Sequence, residues 1–305
     1  MAMPNAIFDE IRNTLRFLPE CDAAIAEAAA SRLQARAGAE PSPIARIAAW
    51  LAGVQRRPSP RIIRPRVAIF AATHGIAADL PFGGADAVAA EIASMLSGDG
   101  EAHRLIEGIG GELKLYELAV EQPTRDSRVE AAMNEAEAAL ATFYGMTSVE
   151  EGVDVLVIAA LGRGGDLAAS AVDAALFPEA APRADECAAR VVAALTRHRA
   201  TTDPLDVLAA LGGPDIAAML GAIVAARYAG VPVILDGPAA HAAASVAVRL
   251  RPDALDHCRS ATNRPRGMAI SSSLPLESIL QDAFETPLGG INAVSVLEDA
   301  CRLLD

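Results

Sequence analysis

Aromatic side chains are scarce: they make up 4% of the 305 residues, against 52% hydrophobic overall, and alanine fills much of the gap. Small side chains let helix axes approach closely, so the composition predicts many tightly packed helices and few large aromatic anchors. Lysine is almost missing, with Lys114 alone beside the arginines, and the formal charge is −13. Such a balance argues against nucleic acid as a partner, because holding a phosphate backbone needs a basic face. The four cysteines, Cys21, Cys187, Cys258 and Cys301, form no CxxC pair and no metal-ligand spacing with the five histidines. That pattern excludes a disulfide framework and predicts free thiols in a reducing cytosol, with no metal and no cofactor. No apolar run reaches the length of a membrane span. The first residues, "MAMPNAIFDEIRNTLRFLPE", carry acids and lack a continuous apolar stretch, unlike a signal peptide. The expectation is a soluble, cytoplasmic protein with neither membrane nor nucleic acid as partner.

What is present is an alternation of elements. Apolar runs at 67–72, 153–159 and 231–236 read as buried strands, and "GELKLYELAV" alternates as an edge or half-buried strand would over 113–119. Helical periodicity marks 5–36, 42–55, 84–97, 99–110, 126–148 and 183–199. The last thirty residues read as helical around "ESILQDAFE" and "NAVSVLEDACRLL". Ser42 before Pro43 fits an N-cap followed by a first-turn proline. Strands alternating with helices predict an α/β fold, a mostly parallel sheet with helices on both faces. No repeat of fixed period is found.

The stretch "VDVLVIAALGRGGDLAAS", 153–170, runs from a strand through Gly162, Arg163 and Gly164 into a helix. Open α/β sheets bind phosphates at such turns, on the N–H groups of the helix start. Asp166 stands where a phosphate would sit; it is either a plain N-cap or a carboxylate opposing the anion. Arg163 could offset it as a phosphate ligand or be an ordinary exposed loop arginine. Asp236 and Gly237 end another strand and mark the pocket best. Asp215, in "GGPDIAAM", caps or lines the same rim or is purely structural. His74 also ends a strand, and a lone histidine there is as often structural as functional. His241 caps or packs. The run Arg56, Arg57, Arg61, Arg64 and Arg66 could take an anion, although a solvated connector is the commoner case. Trp50, on an amphipathic helix, is core or dimer interface.

Read in order, "ARIAAWLAGVQ", "AIFAATHGI", "VIAALGRGGDLAASAV", "LAALGGPDIAAMLGAIVAARYAGVPVILDGPAAHAAA" and "NAVSVLEDAC" resemble the nicotinate-nucleotide:dimethylbenzimidazole phosphoribosyltransferase family over roughly 40–304. The resemblance implies a three-layer α/β domain (61–277), a small helical subdomain from both ends (1–60 and 278–305), and a homodimer. It also implies a reaction in which an azole nitrogen displaces nicotinate from a ribose anomeric carbon, with a glutamate as general base. Laid against the family's "GEMGIGNTT"-type loop, this chain has Ala160 at the glutamate, Gly165 at the asparagine, and Asp166 and Leu167 at the threonines. Thr73 replaces the aspartate of an "ADHG" motif. In "AFETPLGGINAV" the catalytic glutamate, the family's general base, falls on Thr286 or Leu288, with Glu285 the nearby carboxylate that could substitute as base or be a solvated loop residue. Two functions follow: a phosphoribosyltransferase-like protein of cobalamin lower-ligand nucleotide synthesis, or a non-catalytic ligand-binding protein or partner subunit on the same fold. Either takes a small nucleotide or aromatic base. Transfer to dimethylbenzimidazole is expected to be negligible.

Overall fold

The computed structural model describes residues 6–38, 42–80, 85–98, 100–178, 186–262, 274, 276–280 and 288–305. Its strands are β1 (Pro65–Thr73), β2 (Glu112–Glu117), β3 (Val155–Arg163), β4 (Val233–Asp236), β5 (Cys258–Thr262) and β6 (Ser278–Leu280). They form one sheet in the order β2-β1-β3-β4-β5-β6, and each neighbouring pair is parallel. All four strands expected from the apolar runs are among them. The helices are α1 (Ala6–Arg16), α2 (Ala23–Ala37), α3 (Pro43–Gln55), α4 (Ala85–Leu96), α5 (Glu101–Gly108) and α6 (Glu135–Met146), then α7 (Gly165–Leu176), α8 (Glu186–Arg197), α9 (Pro204–Leu211), α10 (Pro214–Ala229), α11 (Pro238–Leu250) and α12 (Leu288–Arg302).

Successive strand side chains point to opposite faces, and that period of two sorts the core into layers. Ala68, Phe70, Leu156, Ile158 and Leu235 join the core built with α1, α6, α7 and α9 to α11. Val67, Ile69, Val155, Val157 and Ile234 join a second core with α3 and α12. With both faces covered, the inner strands are apolar throughout, as a parallel sheet requires. Ser42 caps α3 by accepting the Ala45 N–H, with Pro43 in the first turn. Trp50 belongs to this interior: its Nε1–H donates to the Asp256 carbonyl at 2.8 Å, and the Arg259 guanidinium lies 4.6 Å from its ring centroid.

Three expectations are corrected. The long helix over 126–148 is α6 alone. Asn134 and Glu137 form a capping box that starts it, while the N–H groups of Ala132 and Met133 donate to Ala210 and Ala209 instead. Those carbonyls close α9, so the chain ahead of α6 is spent on satisfying a helix end. "ESILQDAFE" does not open as a helix: Ser278–Leu280 is β6, and the Ser260 N–H donates to the Glu277 carbonyl at 3.0 Å. A short segment cannot sustain a helix nucleus, whereas the open edge of β5 offers ladder partners. Arg66 is no solvated connector; it is buried and bonds Glu112, Glu150 and the Ser148 carbonyl. The arginine run leads into the N-terminal end of β1, the edge of the sheet away from the strand C-termini.

Candidate functional site

The sheet order contains one switch point. From β1 the chain crosses to β2 on one side, and β3 resumes on the other side of β1, continuing outward to β6. Connections leave the C-terminal ends of β1 and β3 in opposite directions, which opens a crevice where α/β sheets hold ligands. His74 follows β1, the turn Gly162–Asp166 closes β3 and starts α7, and Asp236 ends β4. The topology therefore brings these three expected segments to one edge.

At the end of β1, the His74 N–H donates to the Arg163 carbonyl at 3.1 Å, extending the β1–β3 ladder by one step. Thr73 Oγ1 donates to the Val120 carbonyl at 2.8 Å and anchors the loop that crosses this edge. The His74 ring turns under the turn of α7, and its Nε2 lies 3.1 Å from Asp215 Oδ2, both side chains being 1% exposed. Asp215 is no N-cap: Gly213 holds that position for α10, with no side-chain capping bond. Gly213 is required there, because a Cβ would stand 2.2 Å from His74 Cε1 and 2.8 Å from Asp215 Oδ1.

The turn after β3 depends on glycine as well. Gly162 has φ +147°, and a Cβ on it would lie 1.9 Å from the Ala72 carbonyl oxygen. Gly164 is the N-cap of α7 and brings no side chain to its free N–H groups. Asp166 is thus not the N-cap that one reading of the sequence expected; it sits inside the first turn. Desolvation raises its pKa above the usual carboxylate value, His74 opposes that rise and Asp215 adds to it. Arg163 turns away to an ion pair with Glu91 on α4. Ala160 is partly buried near the end of β3.

At the third corner, Asp236 Oδ2 accepts the Gly290 N–H at 2.6 Å and so ties the end of β4 to the first turn of α12. Gly237, with φ +85°, turns the chain into α11. His241 is fully enclosed. Its Nδ1 donates to the Gly237 carbonyl at 2.8 Å, Nε2 lies 2.9 Å from Ser260 Oγ, and burial pushes its pKa down. It packs the rim from behind. Leu288 begins α12, while Glu285 and Thr286 lie outside the described residues.

Sequence reasoning missed the pairings themselves. His74 and Asp215 are 141 positions apart, and Arg163 and Glu91 are 72 apart. The visible signal for the Asp236 contact was the Gly289–Gly290 pair at the start of the last helix, since Cβ atoms there would approach the Asp236 carboxylate within 3.3 and 3.1 Å. Among the described residues no group of three or more His, Cys, Asp or Glu side chains is arranged to hold a metal ion.

Residues 18–305 match the family model for phosphoribosyltransferase (DBI_PRT). A nicotinate-nucleotide–dimethylbenzimidazole phosphoribosyltransferase of Methylocella silvestris is 39% identical over 272 residues, 83% of this chain and 79% of that protein. The Roseobacter denitrificans protein of the same name is 37% identical over 270 residues, 82% of this chain and 79% of its own length. The crystal structure of the Thermus thermophilus enzyme of that name superimposes with a TM-score of 0.81 at 24% identity, over 93% of this chain and 96% of the other. The last comparison speaks for the fold, the first three for descent: this chain belongs to the phosphoribosyltransferase family.

Proposed function

We propose that this chain is a phosphoribosyltransferase-like protein of cobalamin lower-ligand nucleotide synthesis, holding a nucleotide and an aromatic base at the C-terminal edge of β1, β3 and β4. The observation that carries this reading is the family match over 18–305 together with the position of His74, Gly162, Gly164, Asp236 and Gly237 around the switch point. In the reaction such a site serves, an azole nitrogen bonds to the ribose anomeric carbon as the bond to the pyridinium nitrogen breaks. The azole proton must then leave. Ala160, and Thr286 or Leu288, where the resemblance places carboxylates, cannot take it. Losing a positioned base costs a factor of about 100 to 10,000 in rate, so turnover with nicotinate mononucleotide and dimethylbenzimidazole is expected to be negligible.

The same apolar Ala160 supports the second reading, a non-catalytic binding protein or partner subunit. Calorimetry with nicotinate mononucleotide and with dimethylbenzimidazole tests what both readings share. Heat of binding for either ligand sustains the site; none for both at millimolar concentration removes it. Robust turnover in a single-turnover assay would eliminate the non-catalytic reading and overturn the expected rate deficit.

The chain works as a homodimer in the cytoplasm. Support for the dimer comes from the family resemblance and from the apolar surface of α6, where Leu140 is 71% exposed and Tyr144 42%. The Trp50 helix gives none, because its apolar stripe is buried within the chain. Free thiols at Cys21, Cys187, Cys258 and Cys301 suit a reducing compartment. Among the described residues no helix is long and apolar enough to cross a membrane.

A further inference from the structure

The period of two along the strands sorts the charged groups at this edge onto opposite faces of the sheet. Leu156 and Ile158 on β3 face the core of α6, α7 and α10, and Ala160 packs on that side. Val155 and Val157 face the core of α3 and α12, and Leu161 packs there. Arg163, two residues further, falls on this second face, beside Thr73 in the β1–β3 register. Asp236 follows Ile234 by two and lies on the same face, its Oδ2 turned to the Gly290 N–H of α12. His74, four residues past Phe70, belongs to the first face, where it meets Asp215.

α4 covers the second face at the C-terminal ends of β1 and β3, and its apolar grip is small. Among its described side chains Val88 and Ile92 are the buried ones; with Ala71 and Val120 they form a core separate from the two large ones. Elements with so little buried surface open locally at low cost. The other tie is the ion pair of Glu91 Oε1 with Arg163 Nη2, whose side chains are 38% and 33% exposed. A pair this open to water contributes little to stability. It also leaves the guanidinium underused. Among the described residues Glu91 is its one side-chain partner, and Arg163 Nε is enclosed with no acceptor at all. A guanidinium offers five N–H donors in a planar fork that matches two oxygens of one phosphate, and a single carboxylate oxygen takes one of them.

We infer that Arg163 is the phosphate ligand of this chain, held in reserve by Glu91, and that an arriving phosphate monoester takes the guanidinium and frees α4. This rests on the proposed nucleotide site and names the side chain that takes the nucleotide's phosphate. The anion is received on the face of Thr73, across the sheet from Asp215. Charge stays balanced at Arg163, because one anionic partner replaces another, and once the guanidinium swings off Glu91 its Nε and an Nη face the same phosphate. Glu91 is released to water, to which its side chain is already open. α4 then keeps Val88 and Ile92 as its hold on the sheet, so phosphate binding and loosening of α4 are one event.

Ribose 5-phosphate is the probe, with ribose as the control that lacks the anion. Calorimetry in low salt compares the wild-type chain with Arg163→Gln and Glu91→Gln, and thermal melts confirm that both variants fold. Arg163→Gln should weaken ribose 5-phosphate by roughly tenfold or more, and ribose should not bind. Glu91→Gln removes the competing carboxylate and should tighten the phosphate ligand by about threefold to tenfold. Amide hydrogen exchange reads the second half of the inference. Ribose 5-phosphate should speed exchange in α4 of the wild type, whereas Glu91→Gln should show that faster exchange before any ligand is added. An affinity untouched by Arg163→Gln, a Glu91→Gln variant that binds no better than wild type, or α4 protection that stays level or rises with ligand would each overturn the assignment. If none of the three proteins binds ribose 5-phosphate the assignment also fails; dimethylbenzimidazole binding to the same wild-type sample then decides whether the proposed site survives without it.

Discussion

Asp173 lies on the inward face of α7 and is 1% exposed. Its Oδ1 accepts from Ser245 Oγ on α11 at 2.6 Å, and Oδ2 has no partner. Burial pushes the carboxyl up to about 7, only partly countered by the Ser245 hydrogen bond. In the unfolded chain it titrates near 3.8. Between those values the folded protein holds one more proton than the unfolded one, so this group makes stability fall as pH rises from about 4 to about 7. Above that window the penalty is complete, and a displacement of about three units sets it at roughly 4 kcal/mol. Asp173→Asn abolishes the titration. The amide oxygen keeps the Ser245 contact, while the amide nitrogen replaces the orphaned oxygen as an unmade donor, at about 1–3 kcal/mol. At pH 8 the variant should therefore be the more stable protein by about 1–3 kcal/mol. That advantage should shrink by almost 3 kcal/mol, to about zero, at pH 5. Urea denaturation across this range measures it. His241, and His257 at about 3, are also held low by burial and carry the opposite pH dependence, but they occur in both proteins and drop out of the difference. A difference that stays flat from pH 5 to pH 8 would show that Asp173 ionises without cost, and the account of the α7–α11 contact would be wrong.

Gly213→Ala should displace the His74 ring, costing about 1–3 kcal/mol in urea denaturation and shifting the His74 imidazole signals in NMR spectra. Asp236→Ala removes the acceptor of the Gly290 N–H and should destabilise the chain by about 1–3 kcal/mol; a neutral result would refute its role in holding the start of α12. Leu140→Asp should leave the thermal midpoint nearly unchanged and convert the proposed dimer to monomer in light scattering. Wild-type protein already monomeric at micromolar concentration would refute the dimer itself.

The inner strands were legible because burial on both faces leaves nothing but apolar residues in them, as in Val155–Ile158 and Val233–Leu235. Ser42–Pro43 was equally plain, since an N-cap and a first-turn proline act within one turn of chain. The failures share a cause. The stretch ahead of α6 has acceptable helix formers, yet its N–H groups are claimed by carbonyls of α9, 78 positions away in the Ala132–Ala210 bond and 76 in the Met133–Ala209 bond. Ser278–Leu280 answers to the free edge of β5. Local propensity is a weak prior when a distant partner satisfies the same backbone groups.

The site divides along the same line. Glycines at 162 and 164 could be read because a backbone held at positive φ, or pressed against the Ala72 carbonyl, demands them whatever the ligand. The charge of the turn could not be read, because it is decided by residues from other turns. Arg163 would make the edge basic, but Glu91 on α4 takes it, and the His74 ring is turned onto Asp215. Backbone shape and electrostatic character are thus set independently at this edge. A fold shared at a TM-score of 0.81 with the Thermus thermophilus enzyme fixes the first and leaves the second open. A glycine-rich strand–turn–helix in such a sheet says where a ligand sits, and the carboxylates and cations converging from neighbouring turns say what charge that ligand can bear.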